Sequence, residues 1–301
     1  MAIEVDARAA GFEAKKLARI GEHLSERYVE PGKIAGCQVL VSRHGIPAYF
    51  ESYGLMDRER NKPMQDDTLF RIYSMSKPIT SVALMMLWEE GRFQLSDPVH
   101  RYIPSWRNQV VWQEGEGSSM VTRRPKAPPT MQHILSHTAG LTYGGLLPGL
   151  ESPVDAAYQH MGVARGDGET LMEFADKLGR VPLLYEPGSK WCYSLATDVC
   201  GALVEIISGQ PFEQFLQERL FAPLGMRDTG FRVSDDQLDR FAACYVRGPD
   251  KRLLLEDDPE TSHYRHKRNF FAGGGGLGGT TSDYMAFCEM LRQGGRYQGT
   301  Q

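Results

Sequence analysis

Apolar positions along this chain recur with two periods. From Glu13 to Val29 they fall at helical spacing, with Leu17, Ile20, Leu24 and Tyr28 on one face, and Pro31-Gly32 closes the run. Gly36 to Arg43 and Ile46 to Tyr53 are rich in strand formers and flank His44-Gly45, which predicts a hairpin. Gly54 to Asp67 is polar and loop-like. The short apolar run Thr68 to Ile72 then leads into Ile79, Val82, Ala83, Met86 and Leu87, the core face of a helix that should stop at Gly91. Residues 113–130, with the basic run Arg123-Arg124-Pro125-Lys126, read as a solvated loop. Thr130 reads as the N-cap of a helix over 131–137. Further helices are expected over 154–161, 169–178, 197–208 and 211–220, with Gly209 dividing the last two. The stretch from 222 to 271 is loop-heavy, with one strand near 240–247. A final helix, capped by Thr281 or Ser282, should end at Gly294.

Length and composition narrow the class. The 301 residues can bury one large or two smaller cores, and 41% hydrophobic with 24% charged residues is ordinary for a globular protein. A net charge of -4 gives no support for a nucleic-acid partner. Nothing approaches a membrane-spanning run, and Met1 to Ile20 lacks the continuous apolar core of a secretory signal. Cys37, Cys192, Cys200, Cys244 and Cys288 are odd in number and scattered, which suits reduced thiols in a cytoplasm. Oligomeric state is not legible.

The chemistry gathers at Ser74 and Lys77, three residues apart at the start of the 79–91 helix and hence on one face. A serine hydroxyl needs a base within hydrogen-bond reach, and a lysine can serve where burial and a helix N-terminus lower its affinity for a proton. The same N-terminus offers amide donors to an oxyanion. Taken alone, the spacing is frequent by chance and reads first as a helix with a capping serine and a surface lysine. His133 and His137 are four apart, but no Glu follows His133 and no third ligand suggests itself, so a structural pair is expected rather than zinc. Gly273 to Gly279 holds six glycines in seven positions without a phosphate-loop lysine, and reads as a close backbone approach.

Five stretches together resemble the serine β-lactamase and penicillin-binding-protein superfamily: Tyr73-Ser-Met-Ser-Lys-Pro-Ile-Thr-Ser, Leu135-Ser-His-Thr-Ala-Gly-Leu141, Tyr185-Glu-Pro-Gly-Ser189, Tyr193-Ser-Leu and Gly275-Gly-Leu-Gly-Gly-Thr-Thr-Ser-Asp. Their order is most similar to the class C-like branch, which includes family VIII carboxylesterases and statin-type acyltransferases. The resemblance implies an α+β fold of the β-lactamase/transpeptidase type, with an antiparallel sheet flanked by helices, a mostly helical lobe, and Ser74 where the two meet. The implied division is 1–72 for the N-terminal helix and hairpin, 73–267 for the helical lobe carrying the catalytic motifs, and 268–301 for the return towards the first lobe.

It also implies a serine hydrolase that cleaves carboxylic esters through an acyl-enzyme on Ser74, with Lys77 as base and Tyr193 as proton shuttle. The implied partner is a small-molecule ester, and no metal or organic cofactor is called for. Acyl transfer or weak β-lactam hydrolysis uses the same set, and a non-catalytic binding member is the alternative of another class. Two departures stand out. Leu195 occupies the place of the family's Asn, which implies a substrate-binding contact suited to an apolar ester. Trp191 beside it fits an apolar pocket and a core position equally. The family's third motif is also missing: relatives continue through further strands and a closing helix. The resemblance therefore implies a fragment with an incomplete sheet, lacking the strand that supplies half of the oxyanion hole.

Overall fold

The computed structural model describes residues 3–164, 166 and 168–299, and the contacts between Cα atoms divide the chain into two units. The first comprises Met1–Ile72, Leu220–Lys267 and Leu277–Gln301; the second comprises Tyr73–Arg219 and Arg268–Gly276. Residues 220–267, placed with the helices on sequence grounds, thus cluster with the N-terminal hairpin.

The first unit is built on the expected hairpin. Strand Gly36–Arg43 pairs antiparallel with Ile46–Asp57, and Lys62–Pro63 adds a short third strand. His44 and Gly45 both take positive φ, the conformation a two-residue hairpin turn demands. Helix Ala14–Leu24, continued by a π-turn over Ser25–Val29, lays Leu17 against Ala48 and Tyr49, while Tyr28 stays exposed. The final helix, Thr281–Arg292, also packs on strand Gly36–Arg43, where Ser42 Oγ donates to Glu289 Oε1 at 3.1 Å. Thr280, one residue before the expected caps, accepts from the Asp283 amide. Cys244–Arg247 forms the strand expected near 240–247, and it pairs with Leu253–Asp257.

The second unit centres on helix Ala196–Ser208, where Ala196 through Val204 are all buried. Helices Ser76–Glu89, Met131–Leu135, Leu171–Leu178 and Phe212–Leu216 pack around it. Ile79, Ala83, Leu84 and Leu87 form the buried face of the first of these, as their spacing requires. Ser76 and Thr80 share that buried face, leaving Ser74 and Met75 exposed just before it. Val121–Arg123, within the stretch read as a solvated loop, pairs with Val111–Glu114 as a small ribbon. Among the described residues no helix is long and apolar enough to cross a membrane.

Candidate active site

Every side chain of the site belongs to the second unit. Ser74 lies in a single 3-10 turn, Tyr73–Met75, immediately before helix Ser76–Glu89. Tyr73 takes φ +42°, a left-handed conformation that costs a bulky residue free energy and that recurs at functional turns. The turn leaves Ser74 exposed and sets Lys77 one turn further on, half-buried. Lys77 Nζ donates to Ser74 Oγ at 3.1 Å.

Tyr193 arrives through a second pair of segments. Residues 137–142 and 184–195 run side by side: Leu184 N donates to Gly140 O, Gly188 N to Thr138 O, Cys192 N to His137 O and Leu195 N to Thr142 O. Gly140 has φ +86°, and a Cβ there would lie 2.2 Å from Tyr185 O, so only glycine lets the strands approach. This pairing is the physical content of the Ser136-His-Thr-Ala-Gly-Leu motif. It carries Tyr193 to the serine, where Tyr193 Oη donates to Ser74 Oγ at 2.7 Å.

The three residues expected to act together are therefore in mutual contact, and further groups join them that the sequence did not reveal. Lys77 Nζ also donates to Tyr143 Oη at 3.2 Å and to the Gly274 carbonyl at 2.6 Å, and lies 4.7 Å from the centre of the Tyr193 ring. The buried Tyr143 ring packs 5.3 Å from that of Tyr193. Tyr143 directly follows Leu141-Thr142 of the paired segment, the one signal that could have found it. Gly274 belongs to the glycine run, and the expected close approach is real: a Cβ on Gly273 would lie 2.8 Å from Thr197 O.

Electrostatics favour a reactive phenol. Burial works to raise the Tyr193 proton affinity, but hydrogen bonds with Lys77 and Ser74 and the Lys77 charge outweigh it, leaving the phenol below its ordinary 10. His137 packs on the Tyr193 ring at 5.3 Å. Its Nδ1 meets Ser194 Oγ at 3.1 Å and its Nε2 meets Thr197 Oγ1 at 3.3 Å. Burial, and then the Lys77 charge, press its pKa down to about 4 against a pull upward from Asp198, so the imidazole is neutral at pH 7. His133 instead caps its own helix through Thr130, and His137 lies beyond the end of that helix. The two histidines do not share a helix face.

One expected site residue lies apart from the others. Leu195, expected to contact substrate, is 0% exposed, at the N-cap of helix Ala196–Ser208. The chain is already turning into the helix there, so residues 193 and 195 do not point the same way as they would along a strand. Trp191 is the apolar residue that does face outward, 63% exposed and stacked 6.2 Å from Tyr193. Tyr73 and Met75 beside the serine are also about half exposed.

A serine turn, a lysine one turn on and a tyrosine brought from afar are the parts of an acyl-transfer site. Residues 22–301 match the Beta-lactamase family, and the chain belongs to it. Among its relatives is Esterase EstB of Burkholderia gladioli, 32% identical over 97% of this chain and 74% of that protein. The solved structure of EstCE1, described as a hydrolase with promiscuous acyltransferase activity, superposes with a TM-score of 0.80. It is 32% identical over 96% of this chain and 75% of its own. Simvastatin synthase (LovD) from Aspergillus terreus gives 0.73 at 26% identity, over 93% of this chain and 68% of its own. The resemblance read from the five motifs is borne out, and the fold is β-lactamase/transpeptidase-like, with helices and small antiparallel sheets.

Proposed function

We propose that the chain is a serine hydrolase that cleaves small carboxylic esters through an acyl-enzyme on Ser74. The observation that carries this is the convergence of Lys77 Nζ and Tyr193 Oη on Ser74 Oγ, at 3.1 and 2.7 Å. Tyr193, as phenolate, takes the Ser74 proton as Oγ attacks the ester carbonyl, and passes it to the oxygen of the departing alcohol. Water then gives a proton to Tyr193 and attacks the acyl group, and the proton returns to Ser74 as the acid leaves. This moves the base's role from Lys77, whose hydrogen bonds to Ser74, Tyr143 and Gly274 suit a donor, to the phenol it polarises.

An ester with apolar parts suits the exposed Trp191, Tyr73 and Met75 around the serine. Acyl transfer to an alcohol is the second reading, because relatives include acyltransferases and the exposed Ser74 leaves room for an acceptor other than water. A cytoplasmic setting fits the same reading, since none of the five cysteines is in a disulfide. A fluorophosphonate probe and an aryl butyrate test the proposal. The protein should label and turn over the ester, and Ser74→Ala should do neither. Ester turnover surviving in Ser74→Ala, or a wild-type protein inert to both reagents, would overturn it.

A further inference from the structure

Asp198 is a carboxylate with no exposed surface, five residues after Tyr193 in the buried first turns of helix Ala196–Ser208. Burying a carboxylate is costly unless its oxygens are used. One of them is used at the site: Asp198 Oδ1 accepts from the Gly274 amide at 2.9 Å. The same glycine presents its carbonyl to Lys77 Nζ at 2.6 Å. Next to it, Thr80 Oγ1 donates to Gly273 O at 2.8 Å.

These contacts answer a problem that the glycine run creates. Close packing demands glycine at 273, where a Cβ would come within 2.8 Å of Thr197 O and 2.9 Å of Thr80 Cγ2. Glycine, however, has the least hindered backbone of any residue, and a glycine run has no side chains to hold it in place. A small rotation at Gly274 would swing its carbonyl away from Lys77. The anchors must come from outside the run, and Asp198 and Thr80 supply them from two different helices.

We propose that Asp198 is a positioning residue of the catalytic site: by holding the Gly274 amide it aims the Gly274 carbonyl at Lys77, and so keeps Lys77 Nζ against Ser74 and Tyr193. The inference rests on the ester-hydrolase reading and adds to it a residue that touches neither substrate nor the reacting atoms. In this arrangement the reactivity of Tyr193 depends on Asp198 through Gly274 and Lys77. Loss of the anchor lets Lys77 drift, and the phenol then holds its proton more tightly.

The test compares Asp198→Asn, Asp198→Ala and Thr80→Val in the full chain, following aryl-ester hydrolysis against pH together with Tm. Asp198→Asn keeps the shape and an acceptor oxygen, so it should retain most of the rate and the position of the acid limb in kcat/KM. Asp198→Ala should lose about 10²-fold in kcat, the scale of an ångström misplacement, with little change in KM. Its acid limb should move up by about one pH unit as the Lys77 cation leaves the phenol. Thr80→Val removes the second anchor at constant shape and should shift the limb the same way by less, which keeps the test alive if the alanine variant does not fold. A limb left at its wild-type position in Thr80→Val and in a folded Asp198→Ala, with activity falling only in step with the folded fraction, overturns the inference. An asparagine variant as impaired as the alanine one does so too. Tyr193→Phe, assayed alongside, separates the two levels. If it stays active the proton role given to Tyr193 fails, and if Ser74→Ala stays active the ester-hydrolase reading of the site fails, whereas dead Ser74→Ala and Tyr193→Phe variants with unshifted anchor variants sink only the role of Asp198.

Discussion

Arg71 and Lys77 stand on either side of Ser74 in the chain, one in each unit, and their surroundings differ in kind. Arg71 is almost wholly buried, and its Nε donates to the Asp257 carboxylate at 2.6 Å. A second arm donates to the Ala242 carbonyl, and the guanidinium lies 3.9 Å from the centre of the buried Phe241 ring. Its charge is paired with a carboxylate, and each of its three nitrogens donates a hydrogen bond. Lys77 has no ion pair with a described carboxylate; its hydrogen bonds go to two hydroxyls and one carbonyl. A neutralised cation holds structure together, whereas one faced only by neutral oxygens spends its field on them, here lowering the proton affinity of Tyr193. Two cations so near in sequence are thus separated in role by what the fold brings to each.

The sharpest way to break this contrast is to remove both charges in turn. Lys77→Met should reduce ester turnover by about 10³-fold, the scale of a lost acid–base group, while barely moving Tm. Arg71→Met should do the reverse. It leaves Asp257 without its cation and should cost about 3 kcal/mol of stability, read from denaturant midpoints, while the molecules that fold retain turnover. Comparable loss of turnover per folded molecule in the two variants would erase the distinction.

A smaller effect tests the aromatic neighbours. Phe241 and Tyr264 near Arg71 are buried, whereas Trp191, stacked on Tyr193, is mostly exposed. Trp191→Ala should lower kcat/KM for an aryl ester about tenfold, and should hardly affect the ethyl ester of the same acid. Equal losses on both esters would argue that Trp191 supports Tyr193 rather than substrate.

The smallest effect is in stability against pH. The folded state depresses the His137 pKa from 6.5 to about 4, which favours the neutral imidazole. The stability this provides is complete above pH 6.5, where neither state protonates the ring. It is lost progressively as pH falls towards 4, because the unfolded chain binds the proton first. His137→Asn, which tolerates the left-handed backbone at φ +55°, should flatten Tm across that window. An unchanged slope would assign the acid sensitivity to other groups.

Much of this was legible in the chain because it is local. Pro31-Gly32, His44-Gly45 and Gly91 mark ends and turns through their own φ preferences, and Thr130 caps its helix through an amide three residues on. Ser74 and Lys77 meet because one helical turn makes them neighbours. Leu195 misled for the opposite reason. Its place where the family carries Asn implied a substrate contact, but helix Ala196–Ser208 begins there and its side chain is buried. The outward Trp191 could not be told from a core tryptophan, since an indole carries the same apolar signal in both settings.

By itself, then, the sequence determined the helices, the hairpin, the Ser74–Lys77 spacing and the family. These depend on backbone preferences and side-chain periods that act within a few residues. Only the tertiary structure decided what Lys77 touches. Tyr143 and Gly274 reach it from 66 and 197 residues away, and Tyr193 reaches Ser74 from 119. Near those contacts two glycines let backbones close together, at Gly140 beside Tyr185 and at Gly273 beside Thr197. A glycine in the sequence states only that the backbone is free to approach something. What it approaches is set by which helices bury their apolar faces against one another, and that is a property of the packed chain as a whole.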